Sequence, residues 1–185
     1  MPMIKAFKMD GLGNKFVIVD RRKDLVDISK EKIIHLGNLK SFHRDIEFDQ
    51  IIFIEKEVDK AFPITIFNSD GSEVSACGNG SRCVAYFLYK ENNKKEIVLW
   101  TSSGILKSII LENNLVETEI GIPKTNWDEI PLSKNLNTKN LDIRIANKNN
   151  NEHIQHEIII LGGNAVNVGN PHIIFFVDNN LIFCA

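Results

Sequence analysis

The sequence predicts an α+β protein, with one complete lobe followed by a second that is cut short. Three observations carry that reading. Strand-like apolar segments recur along the whole chain. Two stretches, Ser29 to Leu39 and the one opening at Arg82, instead space their apolar residues with the period of a helix. A segment with two prolines, IPKTNWDEIPLSKN, then separates a long first set of elements from a shorter second set, so that residues 1–118 and 119–185 are the expected divisions.

Taken in order, Ile4 to Phe7 and Phe16 to Asp20 read as short strands flanking a loop, KMDGLGNK. Ser29 to Leu39 reads as a helix with Ser29 as its N-cap and Ile33, Ile34 and Leu36 as its apolar positions. QIIFIE, Gln50 to Glu55, is an unbroken apolar run of the kind found in buried strands. PITIFN, Pro63 to Asn68, leads into a glycine-rich segment. From Arg82 the run CVAYFLYK puts Cys83, Val84, Phe87 and Leu88 on one helical face, and this helix should stop near Glu91. EIVLWTS, ILKSIILE and LVETEIGI alternate as antiparallel hairpin strands do, with Asn113-Asn114 as a turn. Beyond the proline segment, LDIRIANK and HEIIILGGNAVNVG are strand-like, divided by NKNNNEH. The chain then runs through GNPHIIFFVDNN to LIFCA, and a strand signal so near the terminus is what implies an incomplete second lobe.

Composition narrows the function classes. At 185 residues and 43% hydrophobic content the chain can bury a core, and 25% charged residues is ordinary for a soluble protein. A net charge of −2 argues against binding a phosphate backbone, which needs a concentrated basic surface. No apolar run reaches the ~18 residues that a membrane span requires. The N-terminus MPMIKAFKMDG lacks the apolar core of a signal peptide. Three cysteines, an odd number, fit a reducing compartment, and the expected location is the cytoplasm. Asparagine is abundant alongside Ile and Lys, which points to coding bias, so the Asn-rich patches carry little meaning alone.

The densest chemistry lies in FNSDGSEVSACGNGSRC, Phe67 to Cys83. Cys77 stands directly before Gly78-Asn79-Gly80, where a helical pattern opens. A thiol there feels the positive end of the helix dipole and several backbone N–H groups, which can bring its pKa from about 8.5 towards neutrality. The glycines would let a carboxylate approach the backbone. The bland alternative for Cys77 is a small buried hydrophobe. Cys83 falls on the apolar face and reads as core, a Cys77–Cys83 disulfide being unneeded, and Cys184 reads as incidental.

Other motifs are weaker. GLGN, Gly11 to Asn14, resembles the start of a dinucleotide loop, but Phe16 occupies the third glycine position, and a turn between strands is the plainer reading. His153 to Glu157 has the wrong order for a zinc-protease motif and sits in a polar loop. Asn79-Gly80-Ser81 matches the glycosylation pattern only formally in a cytoplasmic chain. In GNPH, Gly169 to His172, the proline holds Asn170 extended, so that its amide can point into a cleft; an ordinary Asn-Pro turn is the alternative.

The stretches FKMDGLGNKFVIVD, FDQIIFIE, IFNSDGSEVSACGNGSRC and NVGNPHIIFFVD, in this order, resemble diaminopimelate epimerase, a family of cofactor-independent amino-acid epimerases of lysine and peptidoglycan biosynthesis. The resemblance implies two pseudo-symmetric lobes, each a curved mixed or antiparallel sheet wrapped around a central helix, with the second incomplete here. It implies that Cys77 is one of two catalytic cysteines and that His172 supports the catalytic thiols. It further implies that Gly78 and Asn79 bind substrate at the helix start, and that Asn14, Gln50, Asn68 and Asn170 bind it too. The implied partner is a small molecule, 2,6-diaminopimelate, interconverted between its LL and meso forms. No cofactor, metal, nucleic acid or membrane is implied, and homodimerisation is left open.

The chemistry asked of such a site matches these residue types. Epimerising an α-carbon without pyridoxal phosphate means removing a weakly acidic proton and returning one on the opposite face, which two thiols can do. Helix-start donors in a dry cleft favour the developing charge, and carboxamides both donate to and accept from a zwitterion. The chain also departs from the family pattern. The second catalytic cysteine and the Glu-Arg pair before it have no counterpart in this sequence, which predicts impaired activity for the chain alone. Lys15 stands where the family has aspartate, and Asp45-Ile46-Glu47 replaces a Gly-Ile-Gly run, placing a carboxylate that would repel an anionic substrate if it faced the cleft. The rival readings are a related two-cysteine racemase of the proline type, and a non-catalytic fragment serving in binding or assembly.

Overall fold

The computed structural model describes residues 5–23, 27–38, 47–146 and 157–176. Its contacts separate residues 1–121 from residues 122–185, and the two units are taken in turn.

The first unit opens with strands β1 (Ala6–Gly11) and β2 (Asn14–Asp20), antiparallel and in register from Ala6 opposite Val19 to Gly11 opposite Asn14. This corrects the reading of KMDGLGNK as a loop. Only Leu12 and Gly13 turn, with φ of 54° and 87°, so both central residues of a two-residue hairpin adopt the positive φ that matches strand twist. The alternation that marks β2 simply continues back across the polar residues of that segment. GLGN thus joins two strands, as its plainer reading had it.

β2 pairs in parallel with β3 (Gln50–Ile54), which pairs antiparallel with β4 (Phe62–Asn68), itself flanked by the two-residue β5 (Glu73–Val74). After helix α2 (Gly78–Asn92) come β6 (Glu96–Thr101), β7 (Gly104–Ile110) and β8 (Val116–Glu119). Together they make an eight-stranded mixed sheet in the order β1-β2-β3-β4-β6-β7-β8, with β5 on β4. α2 packs against β1, β2, β3, β6, β7 and β8, so the sheet curls around this one helix.

α2 buries the face that its periodicity marks: Cys83, Val84 and Leu88 meet Phe16, Ile18, Ile52, Ile66 and Leu99 in the main core. Each large side chain buried here contributes about 1.5–3 kcal/mol relative to exposure. Phe87, the fourth expected residue, packs at the edge of that core with its ring 4.6 Å from that of Phe7. The helix ends one residue past Glu91, where Asn93 takes φ 55° and its N–H bonds Tyr89 O, a left-handed cap that Asn tolerates. Helix α1 (Lys30–Asn38) covers the opposite face, packing Ile33 against Val19, Phe48, Ile51 and Phe53. The Ser29 hydroxyl caps it, accepting from Lys32 N at 3.4 Å. Asn113 and Asn114 both turn with φ of 62°, joining β7 to β8.

The second unit holds a three-stranded antiparallel sheet in the order β11-β10-β9, from β9 (Leu141–Ala146), β10 (Glu157–Asn167) and β11 (Pro171–Ile174). A bulge between Ile160 and Gly163 interrupts the β9–β10 register. The proline-bearing segment is irregular, tied to β10 by Lys124 opposite Asn167 and anchored by the buried Ile130. No helix occurs among the described residues of this unit. Cys184, Asp45, Ile46, His153 and His156 lie outside the described residues.

Candidate active site

Register brings three carboxamides to one end of the large sheet. Asn14 begins β2, Gln50 begins β3, and Asn68 ends β4; Gln50 stands opposite Phe16 on one side and Asn68 on the other. Because β2 and β3 run parallel while β4 runs back, two starts and one finish coincide. The chain then turns through β5 and delivers Cys77 to the start of α2.

Cys77 is the N-cap of α2, in extended conformation (φ −147°, ψ 108°), and its half-buried Sγ accepts from Gly80 N at 3.4 Å. Gly78 and Asn79 follow in the first turn, whose N–H groups have no partners along the helix. A Cβ built on Gly78 would meet nothing nearer than Ile120 Cγ2 at 4.0 Å, so the backbone there is open to close approach. Gly80 is different: a Cβ would lie 2.7 Å from Ile52 Cδ1 and 3.2 Å from Phe16 Cε1, so the missing side chain lets the helix start sit down on the sheet.

Two hydrogen-bond networks hold these groups. In one, Asn79 Nδ2 donates to Asn14 Oδ1 at 2.8 Å, Arg82 donates to Asn79 Oδ1, and Asp49 accepts from Lys15 N at 2.8 Å and Asn14 Nδ2 at 3.5 Å. In the other, Gln50 Nε2 donates to Asn68 Oδ1 at 3.0 Å, and Asn68 Nδ2 donates to Ser72 Oγ at 3.0 Å. Asp49, Asp70, Ser72 and Arg82 were not singled out by sequence. The signal for the middle pair was present, since Asp-Gly-Ser is an Asx-turn pattern: Ser72 N donates to Asp70 Oδ1 at 2.8 Å around Gly71, whose φ is +79°.

The two thiols differ sharply. Cys83 is 6% exposed, and burial pushes its pKa up to about 11, aided by Asp10 and Cys77 and opposed by Arg82. It is a core residue and an inert one. Both thiols are free. Ser72 holds the Asp70 carboxyl below the usual carboxylate range.

Asn170 and His172 belong to the second unit. Asn170 is exposed in a bend, where its carbonyl accepts from Val168 N at 3.2 Å. His172 is an exposed residue of β11, opposite Val166 of β10. No helix of the described residues is long and apolar enough to cross a membrane.

A mixed sheet curled around one helix is the architecture of an α+β epimerase lobe. The fold is similar to that of a hydroxyproline epimerase from Agrobacterium vitis, solved with bound trans-4-hydroxy-L-proline, at a TM-score of 0.54 and 13% identity, covering 91% of this chain and 50% of that one. Sequence carries the matter further. The family model for diaminopimelate epimerase matches residues 6–125. Diaminopimelate epimerase of Pelagibacter ubique is 58% identical over 95% of this chain and 60% of its own length, and that of Acidiphilium cryptum 36% identical over 93% and 57%. The chain belongs to the diaminopimelate epimerase family. It spans about 60% of the length of the curated relatives it matches.

Proposed function

We propose that this chain carries the first half of the active site of an enzyme interconverting LL- and meso-2,6-diaminopimelate by acid–base chemistry at cysteine, in the cytoplasm and without pyridoxal phosphate. The observation that carries it is Cys77 capping α2, whose first turn is tied by Asn79 to Asn14 at the sheet end that also carries Gln50 and Asn68. In this reading residues 1–118 are the lobe bearing the catalytic thiol, and residues 119–185 are part of a second lobe that carries Asn170 and His172.

The thiolate of Cys77 takes the proton from the substrate α-carbon on one face, and a second acid returns a proton on the other. As electron density moves from the α-carbon into its carboxylate, the N–H groups of Gly78 and Asn79 and the dipole of α2 lower the energy of that charge. The carboxamides of Asn14, Gln50 and Asn68 pair with the ammonium and carboxylate groups and fix the molecule's orientation. Among the described residues the other thiol is Cys83, which is buried in the core. Cys77 therefore supports proton exchange on one face, and inversion requires a second group.

Proton NMR of diaminopimelate incubated in D2O with the purified 185-residue chain tests this reading. The expected result is Cα deuterium incorporation that falls by about 10²–10⁴-fold in Cys77→Ala. Incorporation that persists undiminished in Cys77→Ala removes the assignment.

A further inference from the structure

We infer that Asp70, acting through Ser72, sets the direction in which the carboxamides of Asn68 and Gln50 point, so that Gln50 offers a buried carbonyl oxygen to an N–H or ammonium group of the ligand. The inference rests on the substrate-site reading above and deepens it. It assigns positioning roles to two residues that touch no reacting atom.

The argument runs along one chain of hydrogen bonds. An ionised carboxylate can only accept. Ser72 Oγ lies 2.5 Å from Asp70 Oδ1, so the hydroxyl proton is committed to Asp70 and the oxygen lone pairs are left facing Asn68. Asn68 must then present its NH2 group to Ser72, at 3.0 Å, and its carbonyl oxygen to Gln50. Gln50 must answer with its own NH2 group, Nε2 to Asn68 Oδ1 at 3.0 Å. Each donor–acceptor choice follows from the one before it, and reversing any of them would require Asp70 to donate.

The end of this chain is informative. Gln50 Oε1 is buried and has no hydrogen-bond partner among the described residues. A buried carbonyl oxygen without a donor is costly, and such groups are retained where a ligand supplies the missing bond. The loop that carries Asp70 is itself held in place: Asn68 N donates to Ser72 O at 2.8 Å and Gly71 N to Asn68 O at 2.9 Å. A rigid turn thus transmits the acceptor-only character of a surface carboxylate to an acceptor inside the site. Were the chain reversed, Gln50 would show an NH2 group instead and would select for a carboxylate.

The test uses the 185-residue chain with ¹⁵N labelling and three variants, Asp70→Ala, Ser72→Ala and Ser72→Thr. Asp70 and Ser72 are exposed, so all three variants retain the fold. In the parent chain and in Ser72→Thr, which keeps a hydroxyl, the Asn68 and Gln50 side-chain NH2 protons exchange slowly with solvent. In Asp70→Ala and Ser72→Ala the Gln50 protons lose that protection, although Gln50 touches neither altered residue. Titration then compares 2,6-diaminopimelate with pimelate, which has the same two carboxylates and no ammonium. The two disabling variants weaken diaminopimelate about tenfold, the loss of one hydrogen bond to a charged group, and leave pimelate unchanged. Unaltered Gln50 protons in Ser72→Ala, or equal weakening of both ligands, overturns the inference. Failure of the parent chain to bind either ligand would count against the substrate reading alone, and the NH2 protons would still decide the relay.

Discussion

Lys15 Nζ and Glu47 Oε2 form a direct ion pair at 2.5 Å. The family resemblance marked both positions as expected departures from the pattern, and the structure sets them against each other. The Glu47 carboxylate is thereby matched by a cation close to Asn14 and Asp49, and the pairing raises the Lys15 pKa. Alone, either charge would alter the field near Asn14; paired, the two offset each other.

Removing one partner should therefore be worse than removing both. Lys15→Ala is expected to weaken binding of the substrate, a zwitterion that presents two carboxylates, more than the double variant Lys15→Ala/Glu47→Ala does, and the difference should shrink in high salt. A double-mutant cycle in diaminopimelate affinity checks this. Additive effects would show that the pair is incidental.

The two thiols should separate by reactivity. Because the Cys83 pKa is raised to about 11, its thiolate fraction stays negligible until the pH approaches that value. Peptide-resolved iodoacetamide labelling at pH 8 is expected to modify the half-buried Cys77 at least tenfold faster than Cys83, since the thiolate is the reacting form and Cys83 is also shielded. Comparable labelling of the two peptides in the folded chain would contradict the packing described.

Gly78 and Gly80 should respond oppositely to the same substitution. Gly80→Ala forces a methyl within 2.7 Å of the fully buried Ile52, and overpacking of this kind costs about 1–3 kcal/mol. Gly78→Ala meets no atom nearer than 4.0 Å and should leave thermal stability unchanged while lowering affinity for substrate. Thermal denaturation and calorimetry on the two variants separate steric from ligand-binding requirements for glycine.

Asp20 should contribute to acid sensitivity. Arg22 holds its carboxylate with Nε at 2.8 Å and a second nitrogen at 2.7 Å, lowering the Asp20 pKa below the ordinary value. The folded state thus favours the ionised form. Its contribution is complete above the unfolded value of about 3.9 and is lost as pH falls through the lowered native value. Asp20→Asn is expected to reduce stability at neutral pH by no more than about 1 kcal/mol, since the pair is partly exposed, and to flatten the acid limb of Tm against pH. An unchanged acid limb would assign that limb to other groups.

What was legible in the sequence was local. An unbroken apolar run marked β3, alternation marked β6 to β8, a 3.6-residue spacing marked α2, and glycines after a cysteine marked the helix start. Cys83 could be sorted from Cys77 because their places in that helix decide their burial. KMDGLGNK misled for a local reason as well: polar residues interrupt the apolar pattern of β1, although strand pairing there depends on backbone bonds and a turn of positive φ.

The sequence by itself determined where most of the described strands and both described helices form, which face of α2 is buried, and that Cys77 heads α2. Those outcomes depend on residues within a turn or two of each other. Only the tertiary structure decided that Asn14, Gln50 and Asn68 share one sheet end, that Lys15 meets Glu47, and that Asp70 reaches Gln50 through two intermediaries. Such meetings depend on strand order and register between segments distant in the chain, and a side chain's spacing along its own strand carries no information about the neighbour it will face.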